Sequence, residues 1–325
     1  MMGPDTFVHL HVASGFSMQY GASTPATLVA RAAAFGQPAL ALTDRDGLYG
    51  AVRFVQACTE AGIAPILGVE LAVHAPRAGA GGDLRAGRHG PDPSARTPVR
   101  GGASVDPRRP RVTVLARGLA AGVAPGLGWA RLCRLVTGTH LAGQRGRPVA
   151  DPELIAELAQ PGGADPSPLV VLLGPDSDVG RAVLAKRRAA AYQALARWRA
   201  LLPRGALVLE AVCHGGPEGT PMSLGHAART LALGRDTGIP VVLTAAVRHA
   251  DPCDAATVDV LDASRRLVAL HVRHLDRVTT AGHLAPSPAM HAIARDVVQA
   301  SGPGLSGGST AVRDGALLLV GDTLA

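Results

Sequence analysis

The sequence predicts an α/β protein in which strands and helices alternate around a closed or nearly closed β/α barrel. Apolar segments with strand periodicity recur along the chain, and each is followed by a helical segment or a loop. About seven strands can be counted, a number that fits a barrel better than an open sheet. The chain has 325 residues, of which 47% are hydrophobic, so it can bury a sizeable core.

Three predicted strands alternate with two predicted helices at the start of the chain. The strands are residues 7–12, 39–44 and 65–73, and the helices are about 24–35 and 49–61. The first strand has a period of two, because its two histidines alternate with aliphatic residues. Pro25 lies near the start of the first helix, and Gly62 ends the second. This order predicts parallel strands with crossover helices.

Residues 75–110 differ sharply in composition from the segments on either side. Gly, Pro and Arg dominate there, and apolar periodicity is absent. Such a segment cannot bury enough apolar surface to offset its loss of conformational entropy. We therefore predict a disordered Arg/Gly/Pro-rich insertion, whose arginines belong to a solvated loop more often than to a phosphate-binding surface.

Strands and helices alternate again after this insertion. The predicted strands are residues 111–116, 169–173, 206–212 and 240–247, and the predicted helices are about 128–141, 152–159, 179–202, 223–237 and 255–267. A last helix is expected at residues 283–300, before a Gly-rich and then apolar tail. We therefore expect a barrel over residues 1–275 and a C-terminal helix with an irregular tail over residues 276–325.

The charge of the chain permits, but does not by itself indicate, binding to nucleic acid. The formal net charge is +7 and the isoelectric point is about 10.0. Lys186 is the only lysine, however, and alanine and glycine are abundant. This bias is more typical of GC-rich coding sequence than of a selected binding face.

Cysteine usage and hydropathy predict a cytoplasmic protein. The four cysteines are scattered, without a Cys-x-x-Cys pair or a signal peptide, which predicts reduced thiols and a cytoplasmic protein. No apolar run reaches the roughly 18 residues of a membrane span, so we expect no membrane association.

Histidines and carboxylates recur where predicted strands end. In β/α barrels, functional side chains cluster at the C-terminal ends of the strands, and imidazole and carboxylate groups are the usual ligands of divalent metals. A lone histidine is more often structural, but His9 and His11 lie two residues apart and should share one strand face. The other strand-end residues are Asp44, Glu70, His214 and His249. Together they predict a metal-binding mouth.

Several motifs around these residues resemble one known family. They are His9-Leu-His11 with Ser14, Ser17 and Gly21, Ala41-Leu-Thr-Asp44, Gly47-Leu-Tyr-Gly50, Pro65-Ile-Leu-Gly-Val-Glu70, Trp129-Ala-Arg-Leu-Cys-Arg-Leu-Val136, Leu209-Glu210, and the segment from Pro240 to Pro252. This pattern resembles the PHP (polymerase and histidinol phosphatase) domain, especially the amino-terminal PHP domain of bacterial DNA polymerase III alpha subunits of the error-prone, DnaE-type branch. The resemblance covers roughly residues 7–270.

The resemblance implies a distorted seven-stranded β/α barrel with a three-metal site on one face. In active members this site hydrolyses phosphoesters, which in polymerases means 3′–5′ proofreading. It also implies DNA, or replication and polymerase subunits, as partners, and a place in DNA replication or translesion synthesis. The positions that match the family's metal ligands are His9, His11, Asp44, Glu70 and His214.

Four positions depart from the family's metal pattern. Ala13 and Arg45 stand where histidines are usual, Tyr20 stands where an Asp is usual, and Arg248 replaces a late His, although the neighbouring His249 offers another register. A guanidinium about 4 Å from a cation costs about 4 kcal/mol per unit charge at an effective dielectric near 20.

We therefore predict a degenerate mouth without catalytic residues. In this hypothesis Arg45 and Arg248 pair with Asp44 and Glu70, so that fixed positive charge replaces the metal. No firmly bound cofactor is expected, and one residual Zn²⁺ or Mn²⁺ on His9 and His11 is compatible with the hypothesis.

The polymerase active site itself is not expected in this chain. Pro175-Asp-Ser-Asp178 superficially resembles the start of a palm motif, but we interpret it as a loop with a helix N-cap. The sequence is thus typical of a truncated or frameshifted polymerase-family member. The alternatives are a free-standing metal-dependent phosphoesterase or 3′–5′ exonuclease of the same superfamily, and a regulatory or scaffold protein.

Overall fold

The fold is given by a computed structural model that describes residues 7–74, 109–118, 121–143, 148–162, 166–271 and 280–302. Six strands form one sheet in which the spatial order follows the chain order. They are β1 (Ala39–Leu42), β2 (Ala64–Ala72), β3 (Arg111–Ala116), β4 (Leu169–Leu173), β5 (Leu207–Val212) and β6 (Val241–Thr244). The α/β prediction is confirmed.

The sheet is mixed, because β3 runs opposite to both of its neighbours. It pairs antiparallel with β2 and with β4, whereas the β1–β2, β4–β5 and β5–β6 pairs are parallel. Parallel neighbours need a crossover connection, usually a helix. No helix was predicted between β2 and β3, and the chain enters β3 in the opposite direction. Residues 75–108, which make up nearly all of the predicted insertion, lie outside the described part of the chain.

The first predicted strand is present as isolated bridges rather than as a regular strand. His9 bridges Leu40 of β1, and Val12 bridges Val247 just beyond β6. The His9 carbonyl accepts from the Ala41 N–H group, and the His11 carbonyl accepts from the Val247 N–H group. Residues 9–13 therefore connect the two edges of the curled sheet, and we call residues 7–13 the edge-bridging segment. Because they change partner along the way, the described part of the chain contains six regular strands instead of seven.

Nine α-helices surround this sheet within the described ranges. They are α1 (Pro25–Ala34), α2 (Ala51–Ala61), α3 (Leu127–Ala142), α4 (Pro152–Leu158), α5 (Asp178–Leu184), α6 (Arg188–Leu201), α7 (Leu224–Thr237), α8 (Ala255–Arg266) and α9 (Ser287–Ala300). The Thr24 side chain caps α1 by accepting from the Thr27 N–H group. The single helix expected at residues 179–202 is two helices, because Lys186 adopts a left-handed conformation with φ of 56°.

Aliphatic side chains fill the inside of the curl, as the low aromatic content requires. The inner cluster comprises Val8, Leu10, Ala41, Ile66, Leu115, Val170, Leu172, Val208 and Val242. The C-terminal helix α9 packs against α7, where Val297 contacts the cluster that includes Leu231. None of the described helices is long and apolar enough to cross a membrane.

Candidate active site

Charged side chains and one tyrosine meet at the end of the sheet where the parallel strands terminate. We call this cluster the mouth, and it consists of His11, Tyr20, Arg45, Glu70 and Arg248. His11 and Glu70 come from the edge-bridging segment and from β2, and Arg45 and Arg248 follow β1 and β6. Tyr20 lies in the loop after the first segment. The fold thus brings together five of the nine site positions that were predicted from the sequence.

Glu70 is the best-anchored carboxylate of the mouth. Its side chain is 3% exposed and forms a two-point contact with Arg45, with an Nε–Oε2 distance of 2.7 Å and an Nη2–Oε1 distance of 3.3 Å. Arg111, which begins β3, donates from Nε to Oε1 at 2.8 Å. Burial alone would raise the pKa of Glu70, but the two guanidiniums hold it well below its usual range. The predicted Arg45–Glu70 pair is confirmed.

Arg248 has a different partner from the predicted one. It forms a two-point contact with Asp262 of α8, at 3.0 Å from Nη1 and 2.7 Å from Nη2, and Arg265 also donates to Asp262. The prediction that Arg248 pairs with Asp44 or Glu70 is wrong. The physical reason is that helix α8 places a fully buried carboxylate within reach of Arg248.

Asp44 is held by serine groups instead of a cation. Its Oδ1 atom accepts from the Ser14 N–H group at 2.7 Å and from the Ser17 hydroxyl at 2.7 Å, and the Ser14 hydroxyl also donates to the carboxylate. Burial raises the pKa of Asp44, although these hydrogen bonds work against the increase. The carboxylate therefore fastens the loop after residue 13 to the end of β1.

His11 is oriented by a buried glutamate. Its Nδ1–H group donates to Glu210 Oε1 at 2.8 Å, and the Thr244 hydroxyl donates to the same oxygen at 2.5 Å. Burial would lower the pKa of His11, but the Glu210 charge and hydrogen bond raise it overall. His11 thus belongs to a carboxylate–imidazole pair at the mouth.

His9 points to another part of the molecule. Its Nε2–H group donates to the Ala285 carbonyl at 2.8 Å, and its ring packs edge-on against Phe7 with 4.9 Å between centroids. The expectation that His9 and His11 share one face is wrong, because the segment that carries them is not a regular strand. His9 is a buried residue of the outer packing.

His214 lies in a group of histidines beside the mouth. Its Nε2–H group donates to the Ala245 carbonyl at 2.7 Å, and burial lowers its pKa. His249 donates from Nδ1 to the Asp251 carbonyl, and its ring lies 6.2 Å from that of His283. Ala13, buried next to this region, contributes only its backbone, which donates to the Val247 carbonyl.

The five positions that match family metal ligands are engaged by other protein groups. Each of the five positions that match family ligands is hydrogen-bonded or ion-paired to protein groups in the ways described above. Among the described residues, no group of three or more His, Cys, Asp or Glu side chains is placed to hold a metal ion. This arrangement does not fit a three-metal site.

Three charged residues, Arg111, Glu210 and Asp262, were not predicted as site residues, although Glu210 belongs to the Leu209-Glu210 motif. Arg111 and Glu210 lie within or beside an otherwise apolar segment, which was the available signal, whereas the helix that carries Asp262 contains several other charged residues. The palm-like motif, by contrast, was interpreted correctly. The Ser177 hydroxyl accepts from the Gly180 N–H group as the N-cap of α5, and Asp178 accepts from Trp198 Nε1.

Comparison with known proteins gives a consistent set of relatives. The chain is 33% identical over 287 residues to the error-prone DNA polymerase of Mycobacterium bovis, which covers 88% of this chain and 22% of that protein. It is 38% identical over 154 residues to the error-prone DNA polymerase of Mycolicibacterium paratuberculosis, and this match covers 47% of this chain and 11% of that protein. The chain thus spans about a fifth or less of these relatives.

The chain is also similar to a solved structure and to a family model. An amidohydrolase from Chromobacterium violaceum aligns with a TM-score of 0.40 at 16% identity, covering 73% of this chain and 86% of that one. The model of the PHP domain matches residues 9–214, which include His214 and every residue of the mouth except Arg248. On this match, over more than half of its length, the chain belongs to the PHP domain family.

Proposed function

We propose that this chain acts as the PHP unit of a DNA polymerase III alpha-type, error-prone polymerase protein and has no hydrolytic activity of its own. In this role it serves DNA replication or translesion synthesis in the cytoplasm, as a platform for DNA or for polymerase subunits. The similarity to error-prone DNA polymerases over 88% of the chain supports this context.

The observation that carries the non-hydrolytic role is the double ion pair of Glu70. Arg45 and Arg111 both contact this carboxylate, at 2.7 and 2.8 Å. A metal ion on Glu70 would lie close to two fixed positive charges, each costing about 4 kcal/mol per unit of ion charge at 4 Å. One such interaction lowers affinity by roughly a factor of a thousand.

A second candidate is a metal-dependent phosphoesterase or 3′–5′ exonuclease. The His11–Glu210 pair favours it, because a carboxylate-oriented imidazole is a common device for proton transfer and for metal binding. In this alternative a residual Zn²⁺ or Mn²⁺ would be held at the His11 side of the mouth. A pure scaffold role is the third possibility.

Hydrolysis and metal content separate these candidates. The purified protein would be incubated with single-stranded DNA and with a chromogenic phosphate ester, with and without Mn²⁺ or Zn²⁺, and its metal content measured after dialysis. We expect neither hydrolysis nor stoichiometric metal. Tightly held metal together with exonuclease activity that His11→Ala removes would contradict the proposal and support the second candidate.

The polymerase context has its own measurement. Tagged protein would be tested for binding to purified sliding clamp, to polymerase subunits and to single-stranded DNA. Binding to a polymerase component or to DNA is expected. If all of these bind no better than to the tag alone, the platform role is wrong.

A further inference from the structure

Three of the four positions that depart from the family's metal pattern meet at one aromatic ring. The guanidinium carbon of Arg45 lies 3.3 Å from the centroid of the Tyr20 ring, and that of Arg248 lies 3.9 Å from the same centroid. These distances are well inside the range of about 6 Å in which a cation is attracted to an aromatic ring. The three substitutions therefore form one structure, the Tyr20 stack.

Each arginine of the Tyr20 stack is anchored to a buried carboxylate. Arg45 holds Glu70 of β2, whose side chain is 3% exposed, and Arg248 holds Asp262 of α8, whose side chain is 0% exposed. Arg248 also donates from Nε and Nη2 to the Tyr20 carbonyl, at 3.2 and 3.1 Å. The stack thus joins the loop after residue 13, the ends of β1, β2 and β6, and helix α8.

We infer that Tyr20, Arg45 and Arg248 form a single metal-free structural centre, which cross-links the mouth with guanidinium groups and excludes divalent cations from it. A metal ion joins chain segments by binding donors from each of them. In the Tyr20 stack the same connection is made by two ion pairs and a shared aromatic ring. This inference goes beyond the proposed function, because it holds whether or not the chain works with a polymerase.

A shared ring makes the three residues interdependent. If Tyr20 is replaced, both guanidiniums lose the ring together, and if either arginine is replaced, the ring loses one of its two cations. Residues in such direct contact show non-additive effects on stability. For the same reason, a histidine restored at one position alone faces the remaining arginine, and we expect it to recruit no metal.

A double-mutant cycle tests the interdependence. The variants are Tyr20→Leu, Arg248→Met and the double variant, with melting temperature (Tm) as the readout. We expect the Tm loss of the double variant to be smaller than the sum of the single losses by at least about 2 °C. Additive losses would overturn the inference.

The chain offers a matched control for this cycle. Arg188 lies 5.4 Å over the ring of Tyr192 on the surface, with the arginine side chain 75% exposed. The cycle of Arg188→Met and Tyr192→Leu should show additive Tm changes, because exposed pairs of this kind contribute little. Equal coupling in both cycles would show that the buried stack is not special, which would also overturn the inference.

Metal-dependent stability tests the exclusion of cations without any activity assay. Tm would be measured for the wild type and for Arg45→His in chelator, in Zn²⁺ and in Mn²⁺. We expect chelator and metal to give the same Tm within error for both proteins. A higher wild-type Tm in Zn²⁺ or Mn²⁺ would overturn the inference, and this result needs no variant to fold. Loss of binding in the polymerase assays would contradict only the proposed function.

Discussion

Replacing Arg45 by methionine is the most informative perturbation of the mouth. Methionine keeps much of the apolar volume of the arginine stem but removes the guanidinium that contacts Glu70 and Tyr20. The Glu70 carboxylate, at 3% exposure, is then left with the single guanidinium of Arg111. The free energy of unfolding should therefore decrease, because Glu70 loses one of its two guanidinium partners and Tyr20 loses a cation–π contact.

The magnitude follows from these contacts. Removing one partner of a buried ion pair costs about 3–5 kcal/mol, and the remaining Arg111 contact places Arg45→Met at the lower end of this range. The lost stacking on Tyr20 adds about 1–2 kcal/mol. A total of about 4–5 kcal/mol, at about 1.5–2 °C for each kcal/mol in a chain of this size, predicts a Tm decrease of about 6–10 °C.

The assay is thermal unfolding at neutral pH, followed by circular dichroism. Arg188→Met, which removes an exposed guanidinium near Tyr192, serves as the control and should leave the Tm almost unchanged. If Arg45→Met unfolds within about 2 °C of the wild type, the buried ion pair contributes little, and the reasoning from burial is wrong.

The same variant should change the acid sensitivity of the protein. Because the pKa of Glu70 is lowered in the folded state, its stabilising contribution is present above the unfolded-state pKa of about 4.3 and is lost as the pH falls below it. In Arg45→Met this pKa moves back toward its usual value, so Tm should fall less steeply between pH 5 and pH 3. An unchanged slope would contradict the assignment.

Two further predictions concern other parts of the fold. Gly21→Ala places a Cβ atom 2.1 Å from the Ser14 carbonyl oxygen and should cost about 1–3 kcal/mol by thermal unfolding, whereas Gly118→Ala, with no atom within 4 Å, should be neutral. Burial lowers the pKa of His226, so the unfolded state binds the proton first, and the free energy of unfolding should fall as the pH drops through about 6.5. Denaturant unfolding of His226→Asn should show a flatter pH dependence, and an equal slope would exclude this residue as the cause.

Periodicity was sufficient for most of the elements but not for their direction or continuity. The β2 and β4 segments are almost continuously apolar, and each was placed within a few residues. The antiparallel direction of β3 relative to β2 is not encoded by periodicity. The prediction of a regular strand at residues 7–12 was wrong for a related reason, because this segment pairs first with β1 and then with Val247.

The site was predicted as a set of positions, and the Arg45–Glu70 ion pair was predicted as well, but the partners of Arg248 and Asp44 were not. Strand ends indicated where Arg45 and Glu70 would meet, since adjacent parallel strands deliver both residues to one edge. The partner of Arg248 lies on helix α8, whose orientation relative to the sheet no local pattern specifies. Likewise, Asp44 is satisfied by two serines of a loop, and a loop conformation depends on its tertiary contacts.

The contacts of the edge-bridging segment have a consequence for the order of folding. The Phe7 N–H group donates to the Ser287 hydroxyl across 280 positions of sequence, and His9 reaches the Ala285 carbonyl across 276. During synthesis, Phe7 and His9 must therefore wait until Ala285 and Ser287 have left the ribosome. We expect slow, late closure of the sheet, and nascent chains that end before Ser287 should expose Phe7 and depend on chaperones.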